Sequence, residues 1–441
     1  MGKLTKYQVI ALSYASVILV GALLLFLPIS SKTGEVTNFI DCLFTATSAT
    51  CVTGLVIYDT YLHWTLFGQI VIILMIQLGG IGFMTIMTLF AGFIKKQLSL
   101  KDKNLFAFSN GNELSDTRKI IKKIIIGTFL LEGIGAIILS TQFIPDLGVA
   151  RGIFASIFHA ISAFCNAGFD ILGNFGEFSS LAHYLNNYVV LITLCLLIFI
   201  GGLGFLVWDD LIEKKFKFSK LSLHSKIVLS TSFILLFGGA ISLFFAEYNH
   251  TLSGLSIPQK INASLFLSVT PRTCGYSLVN QAELSECGRF ITVLLMIIGG
   301  NPCSTAGGAK TTTIVVMVFS VVANFRQKNS ITLFKKQLEP TVTMQSVAIF
   351  TTYIMAIVVG SILLCAVEPV LMKEAIFEVV SAIGTVGLTM GITPMLSAFS
   401  EIVLILLMFG GKVGMITMIM LFAQKHTSVP LERPTEKIIV G

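Results

Sequence analysis

The chain has little charge. Only 12% of its 441 residues are Asp, Glu, Lys or Arg, against 54% hydrophobic residues. A mean hydropathy of +0.87 lies far outside the range of soluble globular domains. The eight cysteines form no CxxC pair and no His/Cys cluster at metal-ligand spacing, so they read as small hydrophobes rather than metal or redox ligands. No GxxxxGK[ST] loop and no strand followed by GxGxxG is present, which leaves no nucleotide site in this chain. A convergent acid/base constellation, which a membrane enzyme would need, is also missing.

What is present is apolar sequence in long stretches. Runs long enough to cross a hydrocarbon core of about 30 Å recur at about 7–29, 65–94, 119–144, 184–212, 223–247, 288–325, 341–367 and 398–424, and predict eight long helices. The first run ends at Leu27-Pro28 with no small-residue cleavage site, so it is expected to stay as a helix rather than leave as a signal peptide. Short basic segments hold 22 of the 30 Lys and Arg residues: the N-terminus, Lys95–Lys123, Lys214–Lys226, Arg326–Lys336 and the C-terminal tail. By the positive-inside rule these faces and both termini are cytoplasmic, and the alternate loops, with Asp41, Asp59, Asp170 and Glu368 among their acids, form an acidic outer mouth. Basic segments this short beside membrane helices mark the inner face and anionic lipid rather than nucleic acid.

Four related stretches sit between the long runs: Phe44-Thr45-Ala46-Thr47-Ser48-Ala49-Thr50-Cys51-Val52-Thr53-Gly54-Leu55, Phe158-His159-Ala160-Ile161-Ser162-Ala163-Phe164-Cys165-Asn166-Ala167-Gly168-Phe169, Leu265-Phe266-Leu267-Ser268-Val269-Thr270-Pro271-Arg272-Thr273-Cys274-Gly275-Tyr276 and Phe377-Glu378-Val379-Val380-Ser381-Ala382-Ile383-Gly384-Thr385-Val386-Gly387-Leu388. Their glycines Gly54, Gly168, Gly275 and Gly387 are 114, 107 and 112 residues apart, as one duplicated unit requires. About a dozen moderately apolar residues precede each glycine, as in 151–164 and 372–384, too few to span a bilayer. A Gly-Gly pair follows in the next long run: Gly79-Gly80, Gly201-Gly202, Gly299-Gly300 and Gly410-Gly411. The expected unit is helix, re-entrant pore helix, loop, helix. The expected fold is an all-α integral membrane protein of four such repeats with pseudo-fourfold symmetry around one pore, like a K⁺ channel.

Non-helical backbone at membrane depth is tolerated only where protein buries it or where it lines a water-filled cavity. A short helix that stops midway points the negative end of its dipole at the centre and favours a cation there. Backbone carbonyls just before each glycine can replace an ion's hydration shell, and glycine accepts the positive φ that turns them toward one axis. The predicted ion ligands are the carbonyls of Thr50, Cys51, Val52, Thr53 and Gly54; of Cys165, Asn166, Ala167 and Gly168; of Arg272, Thr273, Cys274 and Gly275; and of Gly384, Thr385, Val386 and Gly387. The side chains there are mostly neutral, which argues against a divalent-cation site.

On these four segments, each with its Gly-Gly helix, the chain resembles the Trk/Ktr/HKT superfamily of K⁺ transporters over nearly its whole length, most closely the KtrB and KtrD type membrane subunits of bacterial Ktr systems. The resemblance implies K⁺ uptake across a bacterial plasma membrane, with Na⁺ as activator or co-transported ion and no covalent cofactor. It implies a homodimer with one pore per subunit, docked on a cytosolic ring of RCK/KTN-type nucleotide-binding regulatory subunits. In relatives with serine at the first filter glycine, here Gly54, Na⁺ transport is favoured. Cys51, Cys165 and Cys274 stand where Thr, Asn or Ala are common. The expected organisation is repeat 1 over 1–94, a cytoplasmic loop 95–118, repeat 2 over 119–213, a loop 214–222, repeat 3 with a broken second helix over 223–325, a loop 326–340, repeat 4 over 341–425 and a cytoplasmic tail 426–441.

The sixth run, 288–325, would be about 57 Å long as an unbroken helix, nearly twice the membrane core. Gly299, Gly300, Asn301, Pro302, Cys303, Ser304, Thr305, Ala306, Gly307 and Gly308 interrupt it with helix-breaking and small polar residues. In the family this is an intramembrane loop under the filter, and it is the expected gate; the alternative is a static loop lining the inner vestibule. Lys310 and Lys412 are expected to form a cationic barrier there, with Lys412, where the family more often has arginine, holding the gate loop; snorkelling to the interface is the competing account. Arg272 is expected to brace a pore loop, with Glu378 as a partner, and Asn166 to support the filter from behind. His159 and Glu132 read as structural, and the Gly-Gly pairs also fit helix-packing notches. Two rival functions are a Na⁺ or mixed-cation pore-loop channel and a membrane enzyme or assembly subunit.

Overall fold

The computed structural model describes residues 5–82, 117–328 and 330–422. Four times along the chain, a long helix is followed by a short one, an irregular loop and a further helix. The first group is α1 (Lys6–Leu25), α2 (Phe39–Cys51), the single turn α3 (Thr60–His63) and α4 (Leu66–Ile81). The second is α5 (Thr117–Leu147), α6 (Val149–Phe164), α7 (Tyr188–Leu203) and α8 (Phe205–Glu213). The third is α9 (Leu223–Glu247), α10 (Ile257–Val269), α11 (Glu286–Ile297) and α12 (Thr311–Phe325). After a two-residue hairpin, β1 (Thr332–Leu333) with β2 (Lys336–Gln337), come α13 (Pro340–Val367), α14 (Met372–Gly384), α15 (Ala398–Val413) and α16 (Met415–Phe422).

Among the described residues, four helices are long and apolar enough to cross a membrane: α1, α5, α9 and α13. Eight were expected, and among the described residues the difference lies in the second helices, which end or break early. Gly82, Gly204 and Gly414, with φ of +87°, +97° and +99°, stop α4, α7 and α15 in a left-handed conformation that other residues rarely adopt. At Gly204 the chain turns by 91° between α7 and α8. In the third group the interruption runs from 298 to 310, between α11 and α12, and contains the helix-breaking stretch 299–308. The segment 83–94, the basic loop 95–116 and the tail from 423 onward lie outside the described residues.

The short helices form the centre. Phe44, Ala49 and Cys51 of α2, Phe158 and Phe164 of α6, Phe266 of α10, and Phe377 and Ile383 of α14 are buried, while Ile137, Ile234, Phe245 and Val359 on the long helices are exposed. Small and polar residues go inside with them: Ser48, Ser162, Ser268 and Ser381 are fully covered. An apolar exterior around a partly polar interior suits a lipid solvent, where apolar contact between helices has no hydrophobic driving force and close packing must hold them. The chain is a multi-pass membrane protein.

Candidate functional site

Each short helix ends at the same point. The residue two before each loop glycine is left-handed in all four groups: Val52 (φ +59°), Asn166 (+60°), Thr273 (+71°) and Thr385 (+50°). The glycines follow at φ +95°, +68°, +88° and +95°. In three groups the amide before the glycine donates back to a serine carbonyl in the last helical turn: Thr53 to Ser48 (2.8 Å), Ala167 to Ser162 (2.7 Å) and Val386 to Ser381 (2.8 Å). This is the six-to-one bond of a Schellman-type helix end. The serine hydroxyls add Gly54 N to Ser48 Oγ at 3.1 Å and Gly387 N to Ser381 Oγ at 3.0 Å. The third group differs because Pro271 shortens the turn. There Thr270 does the holding, accepting at its carbonyl from Gly275 N and donating its hydroxyl to Tyr276 O at 2.7 Å.

The four loops close on one another in chain order. A Cβ on Gly54 would lie 2.4 Å from the Ala167 carbonyl oxygen, and one on Gly168 would lie 2.0 Å from that of Cys274. One on Gly275 would lie 2.2 Å from Val386 O, and one on Gly387 2.2 Å from Thr53 O. Each glycine therefore faces the carbonyl just before the next group's glycine, and the fourth returns to the first. Of the predicted ligands, Thr53, Ala167, Cys274 and Val386 thus present carbonyls at this closure. Thr50, Cys51, Cys165 and Gly384 lie in or at the ends of the short helices, and Arg272 turns away. The hydroxyls of Thr53 and Thr385 are buried without a protein partner among the described residues.

The Gly-Gly pairs are close-packing notches. A Cβ on Gly79 would meet Thr50 O at 1.9 Å, on Gly201 Phe164 O at 1.9 Å, and on Gly411 Ile383 O at 2.0 Å. In each case the contact is the carbonyl four residues before the loop glycine, so three helices clamp the last turn of three short helices in the same way. Gly299 instead faces Ala309 O and Gly307 O, because in the third group the chain folds back on itself.

That folded segment, 298–310, lies against the second and fourth groups. Phe205 N donates to Cys303 O at 2.9 Å, and Thr305 donates its hydroxyl to Phe164 O at 3.2 Å. Gly308 N donates to Gly411 O at 3.2 Å, and Gly307 and Gly308 press on Thr385 and Gly384. Lys412 Nζ donates to Thr305 O at 2.6 Å, and Lys310 Nζ turns back to Ala306 O at 2.8 Å. Pro302 packs its carbonyl close to Gly204, and the Ser304 hydroxyl donates to Asn301 O. A cavity of about 360 Å³ is bounded by this segment, by the ends of α4 and α15, and by both lysines.

One expected pairing is absent. Arg272 donates to Ser232 O (3.3 Å) and Ser232 Oγ (3.4 Å), whereas Glu378 accepts from Thr389 Oγ1 (2.8 Å) and from Thr393 Oγ1. The carboxylate is satisfied by its own group's outer loop, and the guanidinium turns to the long helix of its own group. Asn166, with its amide nitrogen facing acceptors, donates to Ile198 O and Ala163 O at 3.1 Å each. His159 contacts Ala155 O through Nδ1 at 2.7 Å and stacks on Tyr276. Glu132 accepts twice from Gln77 Nε2 at 3.1 Å.

Sequence reasoning missed two features. The left-handed residue before each glycine leaves no composition signal, since Val, Asn and Thr share no such preference. The third glycine after each pair, in Gly79-Gly80-Ile81-Gly82 and Gly201-Gly202-Leu203-Gly204, was visible and predicts the breaks.

Helices of this hydropathy around four in-folded loops that close on one another define a mostly helical, multi-pass membrane protein. The comparisons narrow that class. The family model for the TrkH cation transport proteins matches residues 4–433. The potassium/sodium uptake protein NtpJ of Enterococcus hirae is 39% identical, covering 100% of this chain and 98% of its own. The Ktr system potassium uptake protein B of Bacillus subtilis is 37% identical, over 100% and 97%. The crystal structure of the potassium transporter TrkH from Vibrio parahaemolyticus superposes with a TM-score of 0.74 over 95% of this chain and 85% of that one, at 16% identity, a likeness of fold. The chain belongs to the TrkH family of cation transport proteins, and is a transporter rather than an enzyme.

Proposed function

We propose that the chain carries K⁺ inward across the plasma membrane through the closure of its four loops, with the 298–310 segment as gate. The observation that carries this is the cycle of glycine-to-carbonyl approaches, Gly54 to Ala167, Gly168 to Cys274, Gly275 to Val386 and Gly387 to Thr53. It brings four carbonyls to one narrow place without an acidic side chain, which suits a large monovalent cation shed of water. The short helices aim their C-terminal dipoles there. In this reading the four groups are pseudo-fourfold repeats of helix, pore helix, filter loop and a second, interrupted span. The domain boundaries are those expected from the sequence, and both termini are cytoplasmic. Lys412 and Lys310 hold the gate segment and place positive charge below the filter. Relatives named for a Ktr system support a multi-component assembly; in this reading its partner is a cytosolic nucleotide-binding ring docked on a homodimer, with stimulation by Na⁺.

The test is growth of a K⁺-uptake-deficient bacterium at low K⁺, with and without Na⁺ and the cytosolic partner. Rescue is expected; failure under every condition despite membrane expression would overturn the reading. One observation favours a second reading, a mixed K⁺/Na⁺ path: the Enterococcus hirae relative is named for both ions. Competition between labelled rubidium and Na⁺ in proteoliposomes separates the two, since a K⁺ filter keeps rubidium uptake when Na⁺ is in excess.

A further inference from the structure

We propose that Ser232 is a positioning residue that ties the third loop to the gate segment, so that an ion in the filter changes the position of the gate. This rests on the reading of loop and segment as filter and gate. Ser232 lies within α9, fully buried, and belongs to neither. Its hydroxyl nevertheless receives donors from both. Arg272, two residues before the carbonyl that Cys274 presents at the closure, donates to Ser232 Oγ at 3.4 Å and to Ser232 O at 3.3 Å. From the other side, Asn301 at the start of the gate segment donates Nδ2 to Ser232 Oγ at 3.1 Å.

Both partners are otherwise well defined. Asn301 is 1% exposed, and Nδ2 also donates to Gly202 O at 2.7 Å, while Oδ1 accepts from the Thr311 hydroxyl at the start of α12. Its amide thus ties the N-terminal part of the gate segment to α7, α9 and α12 together. Arg272 is different. It is 7% exposed and makes no ion pair among the described residues, and its Nε has no partner. A guanidinium keeps its charge in proteins, so here a buried positive charge is hydrogen-bonded, among the described residues, to Ser232 alone. A void of about 10 Å³ lined by Arg272, Asn166, Gly202 and Gly300 leaves it room to shift.

A cation at the closure and the Arg272 guanidinium repel each other, and little screens them in a buried site. The displaced guanidinium alters its bonds to Ser232, and the hydroxyl passes that change to Asn301. The pore helix itself stays fixed, because Ser268 Oγ staples α10 to Leu236 O of α9 at 2.7 Å. The movable part is the loop end that carries Arg272.

Cys303 reports on the gate: it is half-buried and lines the 360 Å³ cavity. Proteoliposomes are treated with a membrane-impermeant thiol reagent from the gate side, in K⁺ or in choline, and modification at Cys303 is followed by mass spectrometry. In the wild type K⁺ should change the rate by about fivefold or more. Ser232→Ala should bring that ratio close to one, and Ser232→Thr, which keeps the hydroxyl, should restore it. A merely structural serine would alter the rates in both media alike and leave their ratio unchanged. A wild-type ratio of one overturns the proposal whether or not the variants fold, as does a wild-type ratio in Ser232→Ala or equal loss in both variants. Wild-type uptake of K⁺ with no such ratio removes this inference alone; absence of uptake removes the functional reading beneath it.

Discussion

At the scale of the residue, the four loop glycines carry the tightest constraint. A side chain on Gly168 meets a carbonyl and not a movable side chain, so Gly168→Ala combines overpacking, about 1–3 kcal/mol, with a left-handed alanine, about 1–2 kcal/mol. Lower thermal stability in detergent and loss of rubidium uptake are expected together. Gly54→Ser should keep transport but lower the preference for K⁺ over Na⁺ by about tenfold, equivalent to about 1.4 kcal/mol; unchanged preference would count against the filter. Lys412→Ala removes the bond to Thr305 O and should raise basal flux in the absence of the cytosolic partner. Unaltered flux at normal expression would sink the role of that lysine as a gate anchor. The glycines were legible because they recur at matched phase. The strained residues before them, and the turn of Arg272 toward Ser232, were not, because they depend on which helix passes behind each loop.

At the scale of the element, the second helices are governed by where their glycines face. A Cβ on Gly201 would lie 1.9 Å from Phe164 O, while one on its neighbour Gly202 would meet only the side-chain amide of Asn166, at 3.2 Å. Gly201→Ala should therefore cost about 1–3 kcal/mol of overpacking and Gly202→Ala much less, measured as shifts in melting temperature. Equal effects would contradict the notch. Outside the membrane, Glu368 joins the α13 end to the start of α15 by accepting from Ser397 N, Ser397 Oγ and Ser400 Oγ. Partial burial raises its pKa, but these bonds outweigh it and the net shift is downward from 4.5. A lowered acid contributes stability above its unfolded pKa and loses it as pH falls through the folded value. Glu368→Gln should thus melt lower than wild type at neutral pH, with the gap closing in acid below that range. Among the described residues hydropathy located every long helix but overran the end of α4 at Gly82 and the breaks at Gly204 and Gly414, since a run of apolar residues reads the same whether or not its helix bends.

At the scale of the whole molecule, uptake needs no energy-coupling site in this chain. An inside-negative potential is worth about 2.3 kcal/mol per charge per 100 mV, which supports about fifty-fold accumulation of a monovalent cation. K⁺ loaded into vesicles through the protein should follow an imposed potential and dissipate when it is collapsed; accumulation that outlasts the potential would demand a second driving ion. The recurrence of the loop glycines was readable at this scale because they stand 107 to 114 residues apart. The third group of helices departs from the others through Pro271 and through the 298–310 fold-back, and only the latter announces itself in composition.

The cycle of glycine and carbonyl is built from one chain rather than from four identical ones. In the proposed pore a substitution therefore touches one quadrant of the bore and leaves three unchanged, where a homotetramer would receive it four times over. Selectivity and conductance can then be altered in quarter steps during descent, and the unlike sequences around Gly54, Gly168, Gly275 and Gly387 are the kind of divergence such tolerance permits.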